Sequence, residues 1–425
     1  MKISLKYGNT QITLPKIPSE RIKILQPKVY KDLKEIKDIK TSLKNSLNKP
    51  LGNKSLVSII EKINPKLISI VVPDITRVTP YYKDVLLALI EYIPNKYHKN
   101  IKFIIATGTH RAHTQQENIN LYGIDLVSKF EFISHNCDDK DKLVFIGRTS
   151  LGNNVYLNKY VVKSDLVILT GNIDTHAFAG FSGGAKILLP GVASRESITY
   201  NHSFVVDEFS VMGNLHKNKI YKDIMETYYL LKKKTNIFCI NFIKNSKKNL
   251  IKILSGDLEK VFKKGTEIIT KISSVKINTL SDLTIISCGG YPRDINLYQA
   301  QKSLSCASMV TRPNGVIILL AECKEKIGQK IFGDTLINNT IEEILSLPQE
   351  KIEVEVHRAY LTAKILKNFK CILVSSLDKE LVEKLKFIYS KDINTALKLS
   401  KMYLKKISLS YIIPEGSTLL PIFKK

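Results

Sequence analysis

Six short apolar runs rich in β-branched residues punctuate this chain, at 67–72, 101–106, 166–170, 283–287, 316–321 and 371–375. Nearly every position in each run is apolar, a pattern that suits a strand covered on both faces. Helical patterns lie between several of them: residues 81–92 follow Pro80, and 296–309 follow Asp294, a side chain suited to capping a helix. Strands alternating with helices build βαβ units, so the spacing predicts an α/β fold with mostly parallel sheets.

At 425 residues the chain is too long for one ordinary core. A lysine-rich polar stretch over 244–278 precedes the run at 283, which divides the chain into expected domains of 1–275 and 276–425. The segment 407–423 carries Pro414, Gly416 and Pro421 in a strand-like pattern, and the last ~15 residues are candidates to cross back to the first domain. The start, MKISLKYGNTQITLP, alternates polar and apolar residues around Gly8-Asn9 and reads as a β-hairpin, not a signal peptide.

No apolar run reaches the ~18 residues of a membrane span. The six cysteines, Cys137, Cys239, Cys288, Cys306, Cys323 and Cys371, form no C-x-x-C pair. That argues against a thiolate zinc site or a disulfide scaffold and for a reducing cytoplasm. The formal charge of +26 raises nucleic acid or an acidic membrane as partners. The lysines, however, fall in short runs among abundant Ile and Asn, with no Arg-rich arm and no aromatic residues interleaved for base stacking. Compositional bias explains the charge, and neither nucleic acid nor membrane is an expected partner. An anionic substrate would still benefit from the field.

Four polar clusters begin where an apolar run ends: Asp74-Ile75-Thr76-Arg77, Thr107-Gly108-Thr109-His110, Thr170 through His176, and Gly289-Gly290-Tyr291-Pro292. Ligands of open α/β sheets bind outside the carboxyl ends of strands, so four such clusters predict one interdomain active-site cleft. His110 and His176 each follow a Gly-containing turn. Two imidazoles flanking one carbon can take a proton on one side and return it on the other.

Between His176 and His202 the chain reads HAFAGFSGGAKILLPGVASRESITYNH, with Gly180, Gly183, Gly184 and Gly191 around Lys186. Such a glycine-rich stretch lets backbone approach a bound group. Lys186 fits either a phosphate cation or a covalent cofactor anchor, and GGAK lacks the P-loop spacing. Arg77 and Lys302 suit carboxylate or phosphate, and Tyr298, Gln299 and Lys302 share a face if 296–309 is one helix. His113 stands in a His-x-x-His spacing with His110, which opens an alternative: a zinc-dependent hydrolase or lyase using both. His98, His135, His216 and His357 read as surface or structural. A non-catalytic basic binding protein is the third class.

Together these residues resemble the nickel-dependent lactate racemase family: Asp74 and Arg77 in DITRVTP, His110 in ATGTHR, His176, Lys186 and His202 in the glycine-rich segment, and Tyr298, Gln299 and Lys302 in GGYPRDINLYQAQK. The match runs from about 70 to 305 and continues weakly through His357-Arg358-Ala359-Tyr360. The resemblance implies an isomerase, a racemase or epimerase of 2-hydroxy acids, with the first domain holding the cofactor. That cofactor is a nickel pincer nucleotide, pyridinium-3,5-bisthiocarboxylic acid mononucleotide. Lys186 would attach it through a thioamide and His202 would complete the nickel coordination. His110 and His176 would be the acid-base pair, Arg77, Tyr298, Gln299 and Lys302 would bind substrate, and Asp74, Thr76, Arg77, Gly183 and Gly184 would help hold the nucleotide.

The implied reaction is proton-coupled hydride transfer, which avoids a carbanion beside a carboxylate. The implied partners are a 2-hydroxycarboxylate substrate and the enzymes that build the cofactor; the sequence carries no signal for an oligomeric state. The chain has no tryptophan, whereas lactate-acting members line the pocket with one, and Gly213-Asn214-Leu215-His216 lacks an Asn-Pro common there. The expected substrates therefore extend from lactate to larger 2-hydroxy acids.

Overall fold

The computed structural model describes residues 3–27, 33–77, 79–245, 248–416 and 418–423. Two compact units divide the chain: Tyr30–Lys271, and Met1–Val29 together with Ile272–Lys425. Both are α/β.

The Tyr30–Lys271 unit is built on a six-stranded sheet in the order Leu250–Gly256, Asn236–Lys244, Leu166–Asn172, Ile68–Pro73, Ile101–Ala106, Glu131–Ser134. All neighbours are parallel except the first pair. Ile68–Pro73 is buried at every position, as a central parallel strand requires, and its one polar side chain, Ser69, is hydrogen-bonded by Ser164. The helix Tyr82–Tyr92 packs its Tyr82 ring edge-on to Phe242 at 5.8 Å, and both side chains are fully buried. Burial of each large side chain of this kind contributes ~2 kcal/mol.

The other unit carries a second six-stranded sheet, wholly parallel, in the order Ile388–Ser390, Lys370–Val374, Thr311–Leu320, Ser281–Ser287, Leu409–Ile413, Arg21–Ile24. Its edge strand comes from the other end of the chain. Arg21 pairs with Leu409 and Ile24 with Ile412. The expected hairpin forms from Ser4–Tyr7 and Thr10–Thr13, with Gly8 at φ 52 in its turn. That turn is tied down too: Gly8 N–H donates to Asp294 Oδ2 at 2.7 Å, and Tyr291 N–H donates to Gly8 O at 2.9 Å.

The division thus differs from domains of 1–275 and 276–425, because the first residues supply a sheet edge to the second unit. The C-terminal residues stay in that unit as well. Leu409–Ile413 pairs with Ser281–Ser287, and Leu420–Phe423 pairs with Ser274–Ile277, so both of these strands pair within that unit.

The expected helix over 296–309 is broken into Leu297–Ala300 and Lys302–Val310. Buried Gln301 donates its side-chain amide to Tyr298 O at 3.1 Å, occupying the carbonyl to which the Lys302 N–H would bond in an unbroken helix. The cap is Asn296, which accepts from Gln299 N–H, while buried Asp294 serves the Gly8 turn. The polar stretch over 244–278 contains a long helix, Leu258–Ser273, with Leu258, Val261, Phe262 and Ile269 buried and lysines on the outer face. Among the described residues no helix is long and apolar enough to cross a membrane. All six cysteines are free and buried.

Candidate active site

Three adjacent parallel strands, Leu166–Asn172, Ile68–Pro73 and Ile101–Ala106, end at the polar clusters that carry His176, Asp74 and His110. The loop after Ile101–Ala106 turns at Gly108, φ 57, whose N–H donates to Gly191 O at 2.9 Å. This bond docks the His110 loop on the glycine-rich segment.

Asp74 is buried and His110 is exposed, with Nδ1 of the ring 2.6 Å from Asp74 Oδ2. Thr76 Oγ1 donates to the other carboxyl oxygen at 2.8 Å. Burial, the largest influence, pushes the Asp74 carboxyl up, but the His110 hydrogen bond and charge, the Arg77 guanidinium and Thr76 together hold it below its ordinary value. An ionised carboxylate only accepts, so Nδ1 donates and Nε2 of neutral His110 keeps a lone pair. Asp74 thus orients His110 through Oδ2, while its Oδ1 accepts from Thr76.

His176 lies in a two-residue pairing, Thr175–His176 against Gly180–Phe181. Gly180, φ 76, is required there: a Cβ would stand 2.4 Å from Asn214 O. The turn carries Phe178, whose O accepts from Asn218 Nδ2 at 2.8 Å. Ala179 N–H donates back to His176 Nδ1 at 3.2 Å.

The buried Phe178 ring gathers the rest of the segment. It meets the His176 ring edge-on at 4.5 Å, the His202 ring at 5.3 Å, and Lys186 Nζ at 5.7 Å. Lys186 sits buried in the short 3₁₀ turn Gly184–Ile187, and His202 in the last turn of the helix Arg195–Ser203. Behind that helix buried Asp223 accepts from Thr149 Oγ1 at 2.7 Å, Asn153 Nδ2 at 2.8 Å and Asn201 Nδ2 at 2.9 Å. The network fixes the residue before His202.

Gly183 and Gly184 act through packing. A Cβ on Gly183 would stand 2.7 Å from Ile173 Cγ1, and one on Gly184 2.6 Å from Phe262 Cδ2. The Gly184 N–H is also spent, donating to Asn241 Oδ1 at 3.1 Å. These glycines seat the Lys186 turn against its own unit.

His113 cannot pair with His110 as a zinc ligand in this arrangement. Its Nε2 accepts from Ile75 N–H at 3.0 Å and its Nδ1 donates to Asn118 Oδ1 at 3.0 Å. Among the described residues no group of three or more His, Cys, Asp and Glu is placed to hold a metal ion. His135 is structural and fully buried, bonded to Ala193 O at 2.9 Å and Asn158 Nδ2 at 3.2 Å.

In the other unit, Gln299 Oε1 accepts from Lys302 Nζ at 2.5 Å. Tyr298 packs edge-on to Phe332 at 5.5 Å; burial pushes its phenol up, opposed by the Arg358 guanidinium beside it. Gln299 and Lys302 thus present an amide and an ammonium as one polar pair.

A family model described as the lactate racemase N-terminal domain matches residues 7–213, and one described as the lactate racemase C-terminal domain matches 276–420. This chain belongs to the lactate racemase family. It is 32% identical to the lactate racemase of Thermoanaerobacterium thermosaccharolyticum over 429 residues, covering 98% of each chain. It is 31% identical to the lactate racemase of Lactiplantibacillus plantarum over 386 residues, covering 88% of this chain and 89% of that one. The structure of the lactate racemase apoprotein from T. thermosaccharolyticum matches with a TM-score of 0.89 at 30% identity, covering 99% of this chain and 100% of that one. A Thermotoga maritima crystal structure matches with a TM-score of 0.65 at 18% identity, covering 91% and 97%, a likeness of fold alone. By family the chain is an isomerase.

The segment from His176 to His202 is therefore a lactate racemase family segment, and the residues sequence reasoning missed in and around it are Phe178, Asn241 and Asp223. Phe178 stands two positions after His176 and was readable as part of the motif. Asn241 and Asp223 come from distant elements and have no local signature.

Proposed function

We propose that this chain racemises or epimerises a 2-hydroxy acid, lactate or a larger 2-hydroxycarboxylate, with a lysine-attached nickel pincer nucleotide. The observation that carries the reading is the meeting of Lys186, His176 and His202 at the Phe178 ring. An amine and two imidazoles at one buried ring are a donor set that fits this cofactor. Lys186 would hold it by a thioamide and His202 would offer its imidazole to nickel. When bound, the cofactor supplies a site that takes the substrate's α-hydrogen with its electron pair and gives it back.

The chain's own residues do the remaining work. Nε2 of His110, oriented by Asp74, is suited to exchange a proton with the substrate hydroxyl, and His176 does the same for the opposite enantiomer. Arg77, Gln299 and Lys302 are suited to the carboxylate and hydroxyl, Arg by its fork and Lys as a point charge, with Tyr298 beside them. Buried thiols support a reducing compartment such as the cytoplasm. Enzymes that build the cofactor are the implied partners.

A panel of enantiopure 2-hydroxy acids, including lactate and dicarboxylates, assayed with cofactor-loaded protein and resolved by chiral chromatography tests the reading. Conversion of one enantiomer into the other, lost in a variant with both His110→Ala and His176→Ala, is expected. Cofactor-loaded protein that leaves every acid unchanged overturns it.

A further inference from the structure

Two helices of the Tyr30–Lys271 unit, Lys219–Lys232 and Leu258–Ser273, line a groove of about 670 Å³ together with the turn before the first of them. Small-molecule sites span roughly 300–1,000 Å³, and the proposed chemistry makes no use of this one. Its apolar lining is Leu215, Tyr221, Met225, Tyr229 and Phe262. The Tyr221 and Phe262 rings stack, with centroids 5.8 Å apart and 18° between their planes, and Tyr229 is exposed. An apolar recess rimmed by charge is a surface that binds.

The charges on that rim do not cancel. Its two carboxylates are occupied from within the protein: Glu226 accepts from the Ser150 N–H at 2.5 Å and from Ser150 Oγ at 2.6 Å, and Glu259 accepts from the Tyr229 hydroxyl at 3.0 Å. Three lysines, Lys217, Lys222 and Lys263, face them along the groove. Lys222 reaches Glu226 only at 3.7 Å, and Lys263 has no ion pair among the described residues. The groove therefore offers stacked rings and ammonium groups side by side.

We propose that this groove is a second ligand site, apart from the one at Lys186, and that it takes a flat aromatic anion. The ring of such a ligand extends the contact surface of Tyr221, Tyr229 and Phe262, and its carboxylate or phosphate meets Lys222 and Lys263, each a point charge. A neutral ring would forgo the lysines, and an aliphatic acid would forgo the aromatic contacts. The groove shares walls with the segment around Lys186. Buried Phe262 also lines a space of about 10 Å³, room for about one water, whose other walls include Gly183 and Lys186. Asn218 lines the groove and donates to Phe178 O at 2.8 Å. A bound ligand thus holds in place two side chains that support the Lys186 and Phe178 turns. Binding itself is independent of the proposed function.

The test is calorimetric titration of the full-length protein with 2-naphthoate, a flat aromatic carboxylate. One binding event is expected, weakened about tenfold in Lys263→Glu and weakened again by added salt, as an exposed point charge requires. Lys264→Glu, at the next exposed lysine, which pairs with Glu267 at 3.2 Å, should bind as the native protein does, and so should Lys302→Met. Tyr229→Ala should bind more weakly, and 2-naphthylmethanol and decanoate should each bind at least about tenfold more weakly than 2-naphthoate. These variants change exposed or half-buried side chains, and unchanged melting temperatures verify their folding. Absence of binding, equal weakening in Lys264→Glu, loss in Lys302→Met with retention in Lys263→Glu, or decanoate binding as tightly as 2-naphthoate overturns the proposal. The expected titrations from a protein that, loaded with cofactor, racemises nothing would uphold this site and sink the proposed function alone.

Discussion

His110 and Asp74, 36 positions apart in the chain, meet at 2.6 Å because their loops leave the carboxyl ends of neighbouring parallel strands. The pairing makes the carboxylate's removal more than a loss of charge. Asp74→Asn presents an amide to Nδ1 and frees the ring to hold its proton on either nitrogen. A fall in kcat of about 10²-fold or more is expected, read as racemisation rate with substrate saturating. A variant of full activity would show that His110 needs no orienting partner.

The same carboxyl gives the fold an acid limit. Because Asp74 is held below its ordinary value, the unfolded chain binds its proton more readily than the folded one. Its contribution is fully present above the ordinary carboxylate pKa of ~4 and is lost as pH falls through the folded value. Melting temperature plotted against pH should therefore fall less steeply in Asp74→Asn than in the native protein below pH ~4.

His135 sets a second, milder limit. Burial lowers its pKa to about 4, against the hydrogen bond to Ala193 O. The unfolded chain charges this ring near pH ~6.5, so stability is whole above that value and declines as pH drops toward 4. The full loss is about 3 kcal/mol. His135→Gln, which retains an amide for the same partners, should melt with a shallower slope across that window; an identical slope would contradict the assignment.

Lys186→Ala removes the buried amine beneath the Phe178 ring. Purified from a host that makes the cofactor, it should contain less than about a tenth of the native nickel by elemental analysis, since the proposed anchoring bond could not form. Native nickel content with normal racemisation would sink the attachment. Zinc in place of nickel in the native protein would reopen the hydrolase reading despite the bonding of His113.

At Gly184, with φ 53 and Phe262 within 2.6 Å of a Cβ, an added methyl group meets both backbone strain and a ring. Gly184→Ala should lower stability by about 1–3 kcal/mol, seen as a lower denaturant midpoint, and should also weaken cofactor retention by moving Lys186. A gain in stability would refute the packing argument.

Lys302→Met should act on binding. Loss of a charged hydrogen-bond donor costs about 1.5–3 kcal/mol, or a KM raised roughly 10- to 100-fold with a smaller change in kcat. A KM within twofold of native would remove Lys302 from substrate recognition.

Strand positions were legible because a parallel strand covered on both faces must be apolar at nearly every position; the run at 101–106 matches its strand end for end. His176, Lys186 and His202 were legible because the stretch joining them is short enough to be one motif. Partnerships were not. Nothing near Asp74 announces His110, nothing near Gln301 announces that its side chain will take the Tyr298 carbonyl, and His113 looks like a ligand until Ile75 and Asn118 occupy its ring. Periodicity reports which face is buried, and only folded coordinates report what meets it.

Arg21–Ile24 closes its sheet only against Leu409–Ile413. During synthesis that strand leaves the ribosome long before its neighbour, with residues 30–271 emerging between them. Residues 30–271 can assemble while the opening hairpin and edge strand still wait, their backbone amides open to any passing strand. A truncation that removes the last dozen and a half residues would strand the first two dozen as well, so damage at one terminus should surface as aggregation driven from the other.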